Sequence, residues 1–538
     1  MKRILFLFLL LPLMAASQED AWVYFTDKPD AAYYLANPLE MLSQKALDRR
    51  ARQNIALDDK DVPVSQTYID AVRTSFGITI MAKSKWLNAL HVRGSASDIR
   101  RLSSLSFIAS ITYADNTLNG RRKTVATSKS KAVSKQLNTQ ADYNYGSAAT
   151  QIEMLNGHLL HQQDFTGTGL TIAVLDNGFP EVNNLPIFEH LYNNNLVLGT
   201  YNYVDRTDDV TIGGSHGTLV LSTMAGYKDG QLVGTAPDAF YYLFVTEDDA
   251  AENPVEESYW VQAAEAADSL GVDVINTSLG YFTYDNPAYS YTYENMDGNT
   301  AFMTRGANVA FSRGIFLVNS AGNSGAGSNP YISVPADAFN TLTVGAVDSS
   351  EQYAYFSSIG PSADGRVKPD VMAMGQGSAF SGTDGSIGAG SGTSFSSPIT
   401  AGLVACLWQA LPDKTNAELL QIIRQSADRY SNPDGFYGYG IPDFWQAYQS
   451  AALSVAGLAK NTIELYPNPA TDVVYVVLPD EVVVCTAAFY NSLGQLVLQK
   501  TISRANNTID ISVLANGIYN YTISLKDGSA KQGKIIKL

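Results

Sequence analysis

From residue 143 to residue 448 the chain repeats one pattern. A short apolar run is followed by a glycine-rich turn and then by a stretch with helical spacing. Residues 170–175 (LTIAVL), 272–275 (VDVI) and 315–318 (IFLV) are such runs, and residues 263–270 and 415–426 carry helical spacing. Strands this apolar need cover on both faces, which parallel strands joined through helices supply. The spacing therefore predicts an α/β fold, a mostly parallel sheet with helices on both faces.

The flanks read differently. Before residue 114, strands are predicted at 23–25, 77–81, 90–92 and 108–113, with a helix starting near residue 96 behind Ser95 or Ser97 as cap. That is a small α+β unit. From 114 to 141 apolar periodicity is lost and the run turns basic and Ser/Thr-rich, which describes an exposed linker. After residue 462 apolar and polar residues alternate, giving strands at 473–478, 482–490, 496–500 and 519–525 of a small β-sandwich. At the other end, Lys2-Arg3, an apolar run over 4–14 and the small residues Ala15-Ala16-Ser17 have the layout of a secretory signal peptide. The run is about half of the ~20 residues a bilayer-spanning helix needs. The expected organisation is thus 1–17 signal peptide, 18–113, a linker at 114–141, 142–455, and 462–538.

Charge follows the same divisions. Of 538 residues, 36 are Lys or Arg and 52 are Asp or Glu, a net of −16. Residues 18–141 carry +6 while residues 142–460 carry −24. That balance excludes nucleic-acid binding, which needs a concentrated basic surface. Two cysteines, Cys406 and Cys485, cannot form a disulfide framework and are expected to be free.

Three segments of the middle block carry chemistry. An apolar strand ends in Asp176-Asn177-Gly178, placing a carboxylate where α/β sheets gather ligands. Ser215-His216-Gly217-Thr218 precedes a helical run. Gly392-Thr393-Ser394 opens another, so that Ser394 sits in the positive field of a helix N-terminus. These are the parts of a nucleophilic triad: Ser394 attacks, His216 moves the proton, and Asp176 orients the imidazole. In a fourth segment Asn323 can donate its amide to an oxyanion, a contact whose loss costs about 3–4 kcal/mol.

Asp-x-Gly, Ser-His-Gly-Thr, Ala-Gly-Asn and Gly-Thr-Ser-x-x-x-Pro, in that order, resemble the subtilisin-like serine peptidases, whose chain order is Asp, His, Ser. The likeness extends to Ser278-Leu279-Gly280, Lys368-Pro369-Asp370 and Gly438-Tyr439-Gly440-Ile441-Pro442. It implies a secreted serine endopeptidase acting through an acyl-enzyme, with Ser278, Leu279 and Gly280 pairing with substrate backbone and Asn323 and Ser394 forming the oxyanion hole. One departure is Phe395-Ser396-Ser397, where many members have Met-Ala-Ala. The block before Tyr113 resembles the inhibitory prodomain of the family, so the chain is expected to be a zymogen inhibited by its own prodomain and freed by cleavage in the linker between Ala114 and Ala141. Leu465-Tyr466-Pro467-Asn468-Pro469, Asn491-Ser492-Leu493-Gly494-Gln495 and Gly517-Ile518-Tyr519 resemble the C-terminal sorting domain of type IX secretion. That implies export across the outer membrane, handled by the type IX machinery, to the cell surface or medium.

Other expectations follow. No cofactor is required and calcium enters only as a structural ion, with Asp205, Asp208 and Asp209, or Asp285 with Asp297, as the carboxylates considered. The enzyme is expected to act on proteins or peptides as a monomer. His158, His161 and His190 read as surface or packing residues and His91 as structural. Tyr281, Phe282, Tyr284, Tyr289, Tyr291 and Tyr293 fit either an aromatic wall over the cleft or a self-packed insertion. The basic N-terminal block facing an acidic catalytic block implies electrostatic support for inhibition, weakened by salt. The alternatives are an adhesion module on a protease scaffold, and acyl transfer other than hydrolysis by the same triad.

Overall fold

The computed structural model describes residues 18–119, 143–461 and 464–538, the last apart from 467, 478–483, 492–493, 504–506 and 526–529. The expected signal peptide and most of the basic linker (120–142) lie outside the described residues. Contacts divide the chain into two units, Met1–Tyr448 and Gln449–Leu538.

The first unit opens with an antiparallel sheet. Its strands β1 (Gln18–Phe25), β2 (Ile78–Ser84), β3 (Ala89–Ser95) and β4 (Ile108–Tyr113) run in the order β2-β3-β1-β4. Helix α1 (Gln44–Arg52) packs against the segment Val255–Leu270, while α2 (Gln66–Arg73) and α3 (Ala96–Arg101) contribute Ile69, Val72 and Ile99 to a core with Val23, Leu90 and Val92. Ser95 is the cap of α3, its hydroxyl accepting from Asp98 N at 3.2 Å. Beyond β4 the chain stays with this sheet through Asn119. Ala114 N donates to Asp20 O at 2.8 Å, and the Asn119 side chain satisfies both backbone polar groups of Tyr113. The ordered segment thus runs past residue 113, where the basic composition alone suggested a linker.

The rest of the unit is built on seven parallel strands: β5 (Thr171–Asp176), β6 (Val197–Asn202), β7 (Phe240–Val245), β8 (Val274–Thr277), β9 (Phe316–Ser320), β10 (Leu342–Val347) and β11 (Val371–Met374). The order is β11-β10-β9-β8-β5-β7-β6. β5 is buried at every position, as a strand covered on both faces must be. Helices α4 (His216–Ala225), α5 (Val255–Leu270), α6 (Phe302–Ser312) and α7 (Thr393–Ala410) cover it. His161 and Cys406 are buried structural groups: His161 bonds Tyr145 Oη and Thr235 O, and the Cys406 thiol donates to Thr235 O. Both cysteines are free.

In the second unit, sheets of three strands (Glu464–Tyr466, Val473–Val477, Thr508–Asp510) and four (Val484–Tyr490, Leu496–Ser503, Gly517–Leu525, Ala530–Lys537) share one core, a small β-sandwich. Val474 and Val476 of one sheet meet Phe489, Ile523 and Ile535 of the other.

Within the first unit, the N-terminal sheet lies on α5 and α6. Trp22 stacks on Phe302 at 5.1 Å, and its indole N–H donates to Ser258 Oγ at 2.9 Å. His91 bridges the same hydroxyl (2.8 Å) and Asp20 (2.9 Å). Glu265 accepts from Ser84 Oγ, Lys85 N and Trp86 N. Asp268 receives both Arg49 and Arg50, and Arg50 also reaches Asp61 at 2.8 Å. Burial alone would raise the Asp268 carboxyl, but the two guanidiniums more than offset it and hold it below its usual value.

These Asp268 pairs are 0–2% exposed, whereas salt screens chiefly exposed charges. The salt sensitivity expected from net charge is therefore confined to the rim pairs, Lys45 and Arg52 with Asp273 and Arg313 with Asp58. Replacing Asp268 by Asn leaves the buried Arg49 guanidinium without a carboxylate and Arg50 with Asp61 alone, a loss of about 3–5 kcal/mol. Once the linker is cut, the N-terminal unit of Asp268→Asn should dissociate at least about a hundredfold more readily. Binding of the two separated pieces measures this, and a change below tenfold would contradict the assignment.

Candidate active site

Parallel strands end at a common edge, and here the register brings three ends together. Leu175 of β5 pairs with Thr277 of β8, which pairs with Asn319 of β9. Asp176, Ser278 and Ser320 therefore follow one another along the C-terminal edge of the sheet, the place where such sheets collect ligands.

Asp176, 1% exposed, accepts from His216 Nδ1 at 2.8 Å and from Asn177 N at 2.9 Å, both at Oδ1. Its Oδ2 makes no hydrogen bond. His216 is the first residue of α4, and the glycine after it is required by close approach. A Cβ on Gly217 would stand 2.4 Å from Gly178 O and 2.8 Å from the Phe179 ring. The Asp176 charge raises the His216 imidazole above its ordinary value, against burial, which would lower it. With Nδ1 engaged, Nε2 is the nitrogen left for proton transfer.

Ser394 lies in the first turn of α7, half-buried. Its neighbour Phe395 has its ring centroid 6.5 Å from that of His216. Two reciprocal bonds tie this turn to the strand edge: Ser394 Oγ donates to Ser278 O at 3.2 Å, and Ser278 Oγ donates to Ser394 O at 3.0 Å. The second has a cause in the sequence. Pro398 lacks the N–H that would bond Ser394 O inside the helix, so that carbonyl is open and Ser278 fills it. The Ser396-Ser397 departure from the family pattern is satisfied locally. Ser397 Oγ donates to Asn276 Oδ1 (2.9 Å), Asn276 Nδ2 donates to Ser278 Oγ (3.1 Å), and Ser396 Oγ donates to Thr393 O (3.0 Å).

Asn323 is held by its carbonyl end. Its Oδ1 accepts from Thr393 N at 2.9 Å and Thr393 Oγ1 at 3.1 Å, which in turn accepts from Gly322 N. The amide end is thereby turned toward the site as a donor. Gly322 enters this turn at φ +103°, where a side chain would be strained and would meet Ser358 Oγ. Thr393, Asn276 and Pro398 escaped the sequence reading as positioning residues. The missing N–H at Pro398 was the one signal that could have found them.

Of the segment Ser278-Leu279-Gly280, Ser278 is buried, Leu279 half-buried and Gly280 exposed. Leu279 shares with Asp176 and His216 the wall of a cavity of about 560 Å³. The tyrosines after Gly280 form no wall over the cleft. Tyr281 donates to Glu247, Tyr284 and Tyr291 donate to Glu257, and Tyr289 donates to Glu19. Burial raises the Glu257 carboxyl, and the phenols partly counter that. His158, His161 and His190 are not brought to this edge. The carboxylates considered for calcium serve neighbouring groups: Asp209 accepts from Thr211, Asp297 from Thr300, Asp205 from Asn202 and Asp285 from Glu252 N. Among the described residues, no three His, Cys, Asp or Glu side chains are placed to hold a metal ion.

Three family models match. A subtilase family model covers residues 167–440, a Bacteroidota peptidase S8 propeptide domain covers 20–132, and a secretion-system C-terminal sorting domain covers 464–537. Similar curated proteins include subtilisin NAT of Bacillus subtilis subsp. natto, 32% identical over 305 residues, 55% of this chain and 70% of that protein. Subtilisin of Bacillus pumilus is 31% identical over 55% of this chain and 98% of its own length. The membrane-bound transcription factor site-1 protease of Rattus norvegicus is 30% identical over 59% of this chain and 29% of its own. The chain belongs to the subtilase family and is a serine endopeptidase. It is made as a zymogen with a propeptide, and its type IX sorting domain directs it across the outer membrane to the surface or medium. No helix among the described residues is long and apolar enough to cross a membrane.

If Asp176 sets the His216 charge state, the imidazole titrates above the usual 6.5. In Asp176→Asn the midpoint should fall, because the charge that raises it is gone. NMR titration of the ring reads this directly, and an unchanged midpoint would refute the coupling.

Proposed function

We propose that Asp176, His216 and Ser394 form the catalytic triad of a secreted endopeptidase that hydrolyses peptide bonds of proteins through an acyl-enzyme. The observation that carries the reading is the 2.8 Å Asp176–His216 hydrogen bond at the strand edge where α7 begins with Ser394. The Ser394 hydroxyl leaves Ser278 O and turns to His216 Nε2 when substrate enters, a tightening common between apo and complexed sites. Oγ then attacks the scissile carbonyl carbon as His216 takes its proton. Collapse breaks the C–N bond, and the same proton passes to the leaving amine. Water, deprotonated by His216, hydrolyses the ester and restores Ser394. Asp176 holds the ring and stabilises its charged form.

The oxyanion is held by Asn323 Nδ2 and by the backbone N–H of Ser394, which lies among the first-turn N–H groups that an α-helix leaves without internal partners. Substrate backbone pairs along Ser278, Leu279 and Gly280, whose last member is exposed. We further read the enzyme as a monomer whose reacting groups all come from this chain, with calcium, if bound, in a structural role.

Ser394→Ala should abolish turnover of a casein substrate and labelling by an active-site serine probe. Asn323→Ala should lower kcat by about 10²–10³ with little change in KM. Since His216 must be neutral to accept a proton, kcat/KM should fall as pH drops through its raised pKa. Full turnover in Ser394→Ala would end the proposal.

A further inference from the structure

We propose that the cavity beside His216 is a specificity subsite for cationic side chains near the scissile bond, and that the chain's own Arg121-Arg122-Lys123 is its first occupant during maturation. This rests on the peptidase reading of Ser394.

The cavity is walled at one end by Asp176 and His216 and is otherwise rich in carboxylates: Glu247, Asp248, Asp249, Glu252, Glu256 and Asp285. No lysine or arginine lines it, and among the described residues none of these six forms an ion pair. Asp176, nearly fully buried, is a lining residue of the cavity, and its Oδ2 has no hydrogen-bond partner. The arrangement is built rather than incidental. Glu256 accepts from Asp248 N and Asn253 N, each at 2.9 Å, which fixes the loop carrying Asp248, Asp249 and Glu252. Tyr281 holds Glu247, and Asp285 accepts from Glu252 N at 3.2 Å. Burial pushes the Glu247 carboxyl up to about 8 and the Glu256 carboxyl up to about 9, so both favour the neutral form in the empty cavity, and a cation seated beside them would draw them toward the carboxylate. A low-dielectric cleft of one sign concentrates ligands of the other, so a guanidinium or ammonium beside the scissile bond is the side chain this cavity favours.

The chain itself supplies such a segment. The turn Asn116–Leu118 packs against Pro287–Tyr289, two residues past Asp285. The sequence reaches Arg121-Arg122-Lys123 only two residues after Asn119, a span of about 7 Å in extended chain. The basic triplet thus follows directly on a turn that is already anchored beside the acidic cavity.

The test uses mature enzyme and internally quenched peptides that differ only in Arg against norleucine, one position at a time on both sides of the scissile bond. Wild type should prefer Arg at one or more positions. The exposed pair Asp249→Asn and Glu252→Gln, combined, should reduce the Arg-to-norleucine ratio of kcat/KM by about tenfold. An unchanged ratio, or a wild-type preference for norleucine everywhere, overturns the subsite while leaving the peptidase intact. No turnover of any peptide and no serine-probe labelling overturns the peptidase reading, and the subsite with it. In the full chain, Arg121→Gln, Arg122→Gln and Lys123→Gln together should slow release of the N-terminal unit about tenfold or move the cut. Release at the same rate and site overturns the role given to that segment.

Discussion

Everything at the active edge depends on how the first turn of α7 is pinned to the ends of β8 and β9. Ser278 and Ser394 exchange hydroxyl-to-carbonyl bonds, and Asn323 clamps Thr393 through both its backbone N–H and its hydroxyl. The helix start, the strand end and the amide donor are therefore one hydrogen-bonded object, held under by Asn276 and Ser397. Because these partners are largely buried, loosening one leaves another polar group unsatisfied, which costs more than the bond itself contributes. An oxyanion donor set this firmly needs no reorganisation when charge develops, and at the nucleophile only the Ser394 hydroxyl has to turn.

A second theme is where acidic residues are allowed to be buried. Helix α5 carries Glu257, Glu265 and Asp268 inside the structure, and each has a different answer to the cost of burying charge. Glu257 is met by phenols of the tyrosine insertion. Glu265 and Asp268 are met by the N-terminal unit, the first with hydroxyl and backbone donors and the second with two arginines. On the cavity side Glu247 is met by the Tyr281 phenol and Glu256 by backbone N–H groups, but no cation pairs with them. The same acidic composition therefore serves as an anchor for the propeptide on one side and as an open field on the other.

Legibility varied with the kind of interaction. The alternation of apolar runs and helices predicted the parallel sheet, although β6, β7, β10 and β11 were not picked out individually because their runs are short or interrupted by Tyr, Thr and Gly. Ser95 was recognisable as a cap because capping is a local contact. The end of the N-terminal unit was not, because Asn119 is tied back by bonds to Tyr113 that composition does not encode. The tyrosine insertion left two readings open, since the partners that decide between them, Glu247, Glu257 and Glu19, are distant in sequence. Net charge likewise suggested a salt-sensitive inhibitory contact, and burial of Asp268 restricts that to the rim.

By itself, then, the sequence determined the fold class, the order of the Asp, His, Asn and Ser motifs, the free cysteines and the family, because these rest on local periodicity and short contiguous motifs. Only the tertiary structure decided which carboxylates are paired and which stand open, and which side chains hold the nucleophile in place. Those outcomes depend on contacts between residues far apart in the chain, such as Arg49 with Asp268, 219 positions away, and Glu19 with Tyr289, 270 away. They depend as well on burial, which turns the same charged group from a solvated surface feature into an anchor or an attractor.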